Sequence, residues 1–150
     1  MRLLIASAAA VMLLAAPAFA QDGGPIGESA GSYVGSGEGN LSAEITHIQD
    51  DIYAVSIETI VPMENNIPGC GGGIAGETIL SETGGNFFVE NEEYDPKAEP
   101  NPITGERYCE IAITFDENGI LILEEKDGCM YYHGASCGFS GQLIKEGAAG

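Results

Sequence analysis

The sequence predicts an all-β fold: an antiparallel meander of about eight short strands forming a small barrel. Three observations lead there. Apolar and polar residues alternate with period two in several short runs, the pattern of strands with one buried face. Turn-forming residues separate those runs at short intervals. Beyond residue 20, no segment sustains the 3.6-residue period of an amphipathic helix.

Residues 1–20 read as an export signal. Arg2 precedes an apolar run over residues 3–16, Pro17 breaks it, and Ala18-Phe19-Ala20 supplies a small-x-small cleavage pattern. The run is too short for a stable membrane span. No cysteine follows the cut to carry a lipid, so no membrane anchor is expected. The mature chain is expected to start at Gln21 and to work in the periplasm or outside the cell. A closed barrel, which leaves no exposed strand edge, suits that setting.

Residues 21–31 (QDGGPIGESAG) have little to bury and read as a flexible Gly-rich tail. A single barrel domain is expected over residues 32–146, with 147–150 frayed. Its strands are placed at 32–35, 41–46, 53–58, 73–80, 86–91, 110–115, 120–125 and 141–146. Leu41, Ala43 and Ile45 alternate with Ser42, Glu44 and Thr46; Tyr53, Val55 and Ile57 alternate with Ala54, Ser56 and Glu58; Ile111, Ile113 and Phe115 alternate with Glu110, Ala112 and Thr114. Asp50-Asp51, Gly84-Gly85 and Asn118-Gly119 mark turns, the last reading as a two-residue hairpin loop. Residues 91–106 (NEEYDPKAEPNPITGE) hold three prolines and cannot be a strand interior. They read as an acidic loop projecting between the fifth and sixth strands.

The charge balance is lopsided, with 23 Asp and Glu against 5 Lys and Arg. Removing Arg2 with the leader leaves four basic side chains and a formal net charge of −19. Such a chain repels nucleic acid and anionic membrane surfaces and attracts cations and basic proteins. The four cysteines, Cys70, Cys109, Cys129 and Cys137, read as two disulfides in an exported protein. In a meander alternate turns share one barrel end, which gathers all four there. An Asn118-Gly119 turn sets Cys109 opposite about position 128. Cys109–Cys129 with Cys70–Cys137 is therefore favoured, and Cys129–Cys137 with Cys70–Cys109 is the rival pairing.

Several motifs match on paper. Residues 27–31 and 134–138 both fit G-x-S-x-G. The first lies in the tail; the second contains a half-cystine and no His follows it, so neither suits a nucleophile elbow. Residues 71–76 fit G-x-G-x-x-G without the following helix that a dinucleotide site needs. A close backbone approach beside Cys70 fits that run better. Cys129, His133 and Cys137 have the spacing of a soft-metal site, which would require reduced thiols. Glu92, Glu93, Asp95 and Glu99 could hold Ca²⁺ only weakly, since they follow no EF-hand pattern. No catalytic residue, metal or cofactor is expected. Two histidines and no clustered acid–base set leave little for catalysis.

The segment Tyr131-Tyr132-His133-Gly134-Ala135-Ser136-Cys137-Gly138-Phe139-Ser140-Gly141 resembles the closing stretch of small exported bacterial β-barrel proteins, some of them similar to periplasmic lysozyme inhibitors. Residues 70–76 and 109–115 fit the same picture, so the resemblance spans 32–145. It implies a non-catalytic binding module for a basic envelope enzyme such as lysozyme. Candidate partner-contacting residues are Tyr131, Tyr132, His133 and Ser136, with Glu92, Glu93 and Asp95 on the acidic loop. The alternatives are a lipocalin-like carrier of a small ligand and a structural envelope protein without one. Interior residue size separates the carrier from the others: large inward Ile, Phe and Tyr make a filled barrel, whereas a carrier needs a cavity.

Overall fold

A computed structural model of the chain describes residues 28–147; the expected leader, most of the Gly-rich tail and the last three residues lie outside that range. The strands are β1 (Gly31–Gly37), β2 (Asn40–Gln49), β3 (Ile52–Val61), β4 (Cys70–Ile79), β5 (Gly84–Glu90), β6 (Tyr108–Phe115), β7 (Leu121–Glu125) and β8 (Gly141–Lys145). They form one sheet in the order β4-β3-β2-β1-β8-β7-β6-β5, every neighbouring pair antiparallel. The sheet curls into a nearly closed barrel.

The first and last strands zip together, from Tyr33 opposite Lys145 to Gly37 opposite Gly141. The open seam lies instead between β4 and β5, which are consecutive in the chain. A tight turn starts their pairing, with Ser81 and Gly84 exchanging backbone hydrogen bonds of 2.9 and 3.1 Å. Thr78 Oγ1 then donates to the carbonyl of Asn86 at 2.8 Å, and no ladder continues beyond it.

Period-two alternation puts the expected residues inside. Leu41, Ala43, Ile45, Tyr53, Val55, Ile57, Ile111 and Ile113 are all buried, as are Tyr33, Phe87, Leu121, Leu123, Phe139 and Leu143. Phe115 packs half-buried against this core. Each large side chain removed from water contributes about 1.5–3 kcal/mol. The lumen is therefore occupied by packed side chains.

On β4 the inward positions include Gly72 and Gly76. A Cβ at Gly72 would lie 2.3 Å from His133 Cβ, and one at Gly76 would lie 3.3 Å from both Phe87 Cε2 and Val89 Cγ2. The Gly-rich run thus makes room for groups arriving from across the seam, the close approach expected of it.

Two boundaries differ from the sequence reading. The expected tail through residue 31 ends earlier, because donors on ordered strands tie it down. Tyr33 Oη donates to the carbonyl of Ser29 at 2.8 Å, and Lys145 Nζ to that of Glu28 at 2.6 Å. Ser29 is buried and Gly31 already belongs to β1. The Asn118-Gly119 turn is a three-residue loop rather than a two-residue one. Asp116 N–H donates to the Ile120 carbonyl and Gly119 N–H to the Asp116 carbonyl, each at 3.0 Å, with Gly119 at φ 76°. That is a turn followed by a left-handed residue. The Asp116 carboxylate selects it by accepting from the amides of Asn118 and Ile120 at 2.9 and 2.8 Å. The register consequently shifts by one, with Phe115 opposite Leu121.

Candidate functional site

The odd-numbered strands end, and the even-numbered strands begin, at one mouth of the barrel. That mouth carries residues 62–69, 91–107 and 126–140 together with all four cysteines. The disulfides are Cys109–Cys129 and Cys70–Cys137, the favoured pairing. The meander predicts it. The shifted register sets Cys109 opposite position 127 rather than 128, and the left-handed Gly128, at φ 75°, turns the chain so that the Cys109 and Cys129 Cα atoms lie 4.3 Å apart.

Between the two bonds, residues 129–137 form a strap over the seam. A single 3-10 turn (Cys129–Tyr131) redirects the chain. The strap then docks on the free edge of β4: Gly73 N–H donates to the Tyr132 carbonyl at 3.1 Å, and Gly134 N–H to the Gly71 carbonyl at 3.4 Å. Tyr132 Oη donates across to the carbonyl of Glu90, at the end of β5. The strap therefore fastens both sides of the seam where the strands do not fasten each other. Burial pushes the Tyr132 phenol above its ordinary range, and the nearby charges of Glu92, Tyr131 and Glu90 add to the effect.

His133 clips the strap to β7. Its Nε2 lies 3.0 Å from Glu125 Oε1 and its Nδ1 lies 2.7 Å from the Gly134 carbonyl, with the ring edge-on to Phe139 at 5.1 Å. The His133 side chain is 5 % exposed. Both ring nitrogens face oxygen atoms of the fold, one on the strap itself and one on β7, so the imidazole bridges the two segments. Glu125 Oε2 also accepts from the Phe139 amide at 2.8 Å, and Glu38, on the β1–β2 turn, accepts from the Gly138 amide at 2.8 Å. These two carboxylates satisfy buried backbone donors that would otherwise lie unpaired.

Of the sequence-predicted site residues, the structure gathers Tyr131, Tyr132 and His133 on the strap and sets Glu92 near Tyr132. Ser136 is exposed at the strap's turn. Glu93 and Asp95 are exposed on the acidic loop, where Asp95 Oδ1 accepts from the Lys97 amide at 2.8 Å. Cys129 and Cys137 bond to different partners, so the soft-metal spacing reflects the two ends of the strap. Among the described residues, no three His, Cys, Asp or Glu side chains converge as a metal-holding group.

Sequence reasoning missed Asn91, Glu38 and Glu125. Asn91 is 2 % exposed, and its Nδ2 donates to the carbonyls of Glu106 at 2.6 Å and Gly128 at 3.1 Å. It pinches the acidic loop shut at its base and ties it to the strap's approach. A signal for it exists: Asn91 continues the inward parity of Phe87 and Val89, and a polar side chain at an inward position implies a buried partner. Glu38 and Glu125 carry no such mark, because their partners are backbone amides 100 and 14 residues away.

No family model matches the chain, and no curated protein or solved structure does so either. The structure defines the class, a disulfide-strapped antiparallel eight-stranded barrel with a filled lumen. Its function must be argued from its surface.

Proposed function

We propose that this chain is an exported, non-catalytic binding module for a basic envelope protein, acting as an inhibitor-like partner of a cationic enzyme such as lysozyme. One observation carries the reading: 23 acidic against 5 basic side chains, with many of the acids on the loops of the strapped mouth. Glu92, Glu93, Asp95 and Glu99 stand exposed on the loop pinched by Asn91. A surface of this charge steers a basic partner into encounter. The packed lumen weighs against a lipocalin-like carrier, which needs an internal cavity.

Export with removal of residues 1–20 belongs to this reading, and the two disulfides support it. Among the described residues, no helix is long and apolar enough to cross a membrane. Intact mass of the secreted protein tests the cut; a mass that retains Met1 or Arg2 refutes it.

Binding to lysozyme across a salt series tests the function. The Debye length is about 8 Å at 0.15 M ionic strength. Added salt should therefore slow association more than it speeds dissociation. Replacing the acids of 91–106 with Asn and Gln should reproduce the slow association at low salt. Absence of binding at low salt refutes the reading.

A further inference from the structure

We propose that residues 62–69 are a preformed docking finger whose Met63 and Ile67 side chains seat in an apolar groove of a basic protein. The inference rests on the function proposed above and names the surface that performs it. Every residue from 62 to 69 is exposed. Among the described residues Met63 and Ile67 are the two most exposed large hydrophobics, at 75 % and 67 %, and Ile60 at the finger's root is 54 % exposed. These side chains contribute nothing to the core, and their local fold needs only the turn.

The finger is rigid for identifiable reasons. Ile67 N–H donates to the Glu64 carbonyl at 2.7 Å, closing a four-residue turn. Its central residues Asn65 and Asn66 have φ 49° and 64°, the positive pair of a type I′ hairpin turn. Asn tolerates that region better than other non-glycine residues. Pro62 and Pro68 restrict the two arms. The roots are held by the Val61–Cys70 pairing and the Cys70–Cys137 bond. A loop already ordered in its docking shape loses little entropy on binding.

Charge selects the partner. Glu64 sits on the finger's tip. The acidic loop with Glu92, Glu93, Asp95 and Glu99 stands across the seam at the same mouth. Of the three bases at this end, Arg107 is paired with Glu90 at 2.9 Å and Lys126 with Glu124, and Lys97 stands exposed on the acidic loop between Asp95 and Glu99. Apolar anchors beside Glu64, on a mouth where acids outnumber bases, fit an apolar groove rimmed by Lys and Arg. A second copy of this chain would instead bring like charges together.

The test measures binding of lysozyme at low salt to the intact mature protein, to Met63→Ser/Ile67→Ser, and to Ile144→Ser. Ile144 is 62 % exposed on β8, on the outer wall of the barrel, and serves as the control. Circular dichroism melts should coincide for all three, since none of these side chains is buried. The double variant should bind roughly 100-fold more weakly, about tenfold per apolar anchor, and the control should match the parent. A further variant, Asn65→Ala/Asn66→Ala, keeps both anchors but loosens the turn and should weaken binding several-fold. If the parent binds and the double variant binds equally well, the finger is refuted while the binding function stands. If the parent itself does not bind, both fail. A dimer in light scattering that Met63→Ser/Ile67→Ser converts to monomer would assign the finger to self-association and overturn the proposal.

Discussion

Replacing Cys70 and Cys137 by Ala should loosen the strap far more than a surface change of the same size. The bond spans 67 residues of sequence, and Cys109–Cys129 spans 20 of the same stretch. With the second bond intact, the loop closed by the first is effectively about 47 residues, and chain entropy then assigns it about 4 kcal/mol at 25 °C. For a domain of about 120 residues, unfolding entropy near the midpoint is about 0.25 kcal/mol per kelvin, so the melting point should fall by about 16 °C. The corresponding Cys109→Ala/Cys129→Ala change opens a 20-residue loop, worth about 3.3 kcal/mol by the same relation. Urea melts of the two double variants against the parent, without reductant, give the difference. Hydrogen exchange supplies the local readout. The amides of Gly73 and Gly134 donate between strap and β4, and both should lose protection ahead of global unfolding in Cys70→Ala/Cys137→Ala. A loss below 1 kcal/mol, or unchanged protection at those two amides, would refute the claim that this bond holds the strap on the barrel edge.

Glu125→Ala should destabilise by about 2 kcal/mol in urea melts, because it strands the buried Phe139 amide and removes the acceptor facing His133. Phe87→Ala empties a fully buried site behind the seam and should cost about 3–5 kcal/mol. Asp116 has its carboxyl held below the ordinary carboxylate range, chiefly by the Ile120 amide and further by the Asn118 amide and side chain. Its folded value lies under its unfolded one, so its contribution is present above the unfolded value and is lost as pH falls through the folded value. Thermal melts of the parent and Asp116→Asn should therefore differ at neutral pH and converge in acid. A gap that persists unchanged to low pH would contradict this.

The strand pattern, the inward residues and the cysteine pairing were legible in the sequence because each depends on short-range regularity. Period two assigns Leu41, Ala43 and Ile45 to one face whatever the barrel around them, and meander topology alone gathers Cys70, Cys109, Cys129 and Cys137 at one mouth. Tertiary structure alone decided where the barrel stays open and what covers the gap. The β1–β8 pairing could have failed instead of β4–β5; the backbone of Gly72, bare enough to admit Tyr132 and His133, places the strap on the β4 edge. The acceptor roles of Glu38 and Glu125 depend on amides distant in sequence, so no local pattern announces them. The exposure of Met63 and Ile67 was equally hidden, since composition records an apolar residue without recording which side of the fold it faces. Short-range periodicity is encoded residue by residue, whereas a seam, a clip and a projecting finger exist only once distant segments meet.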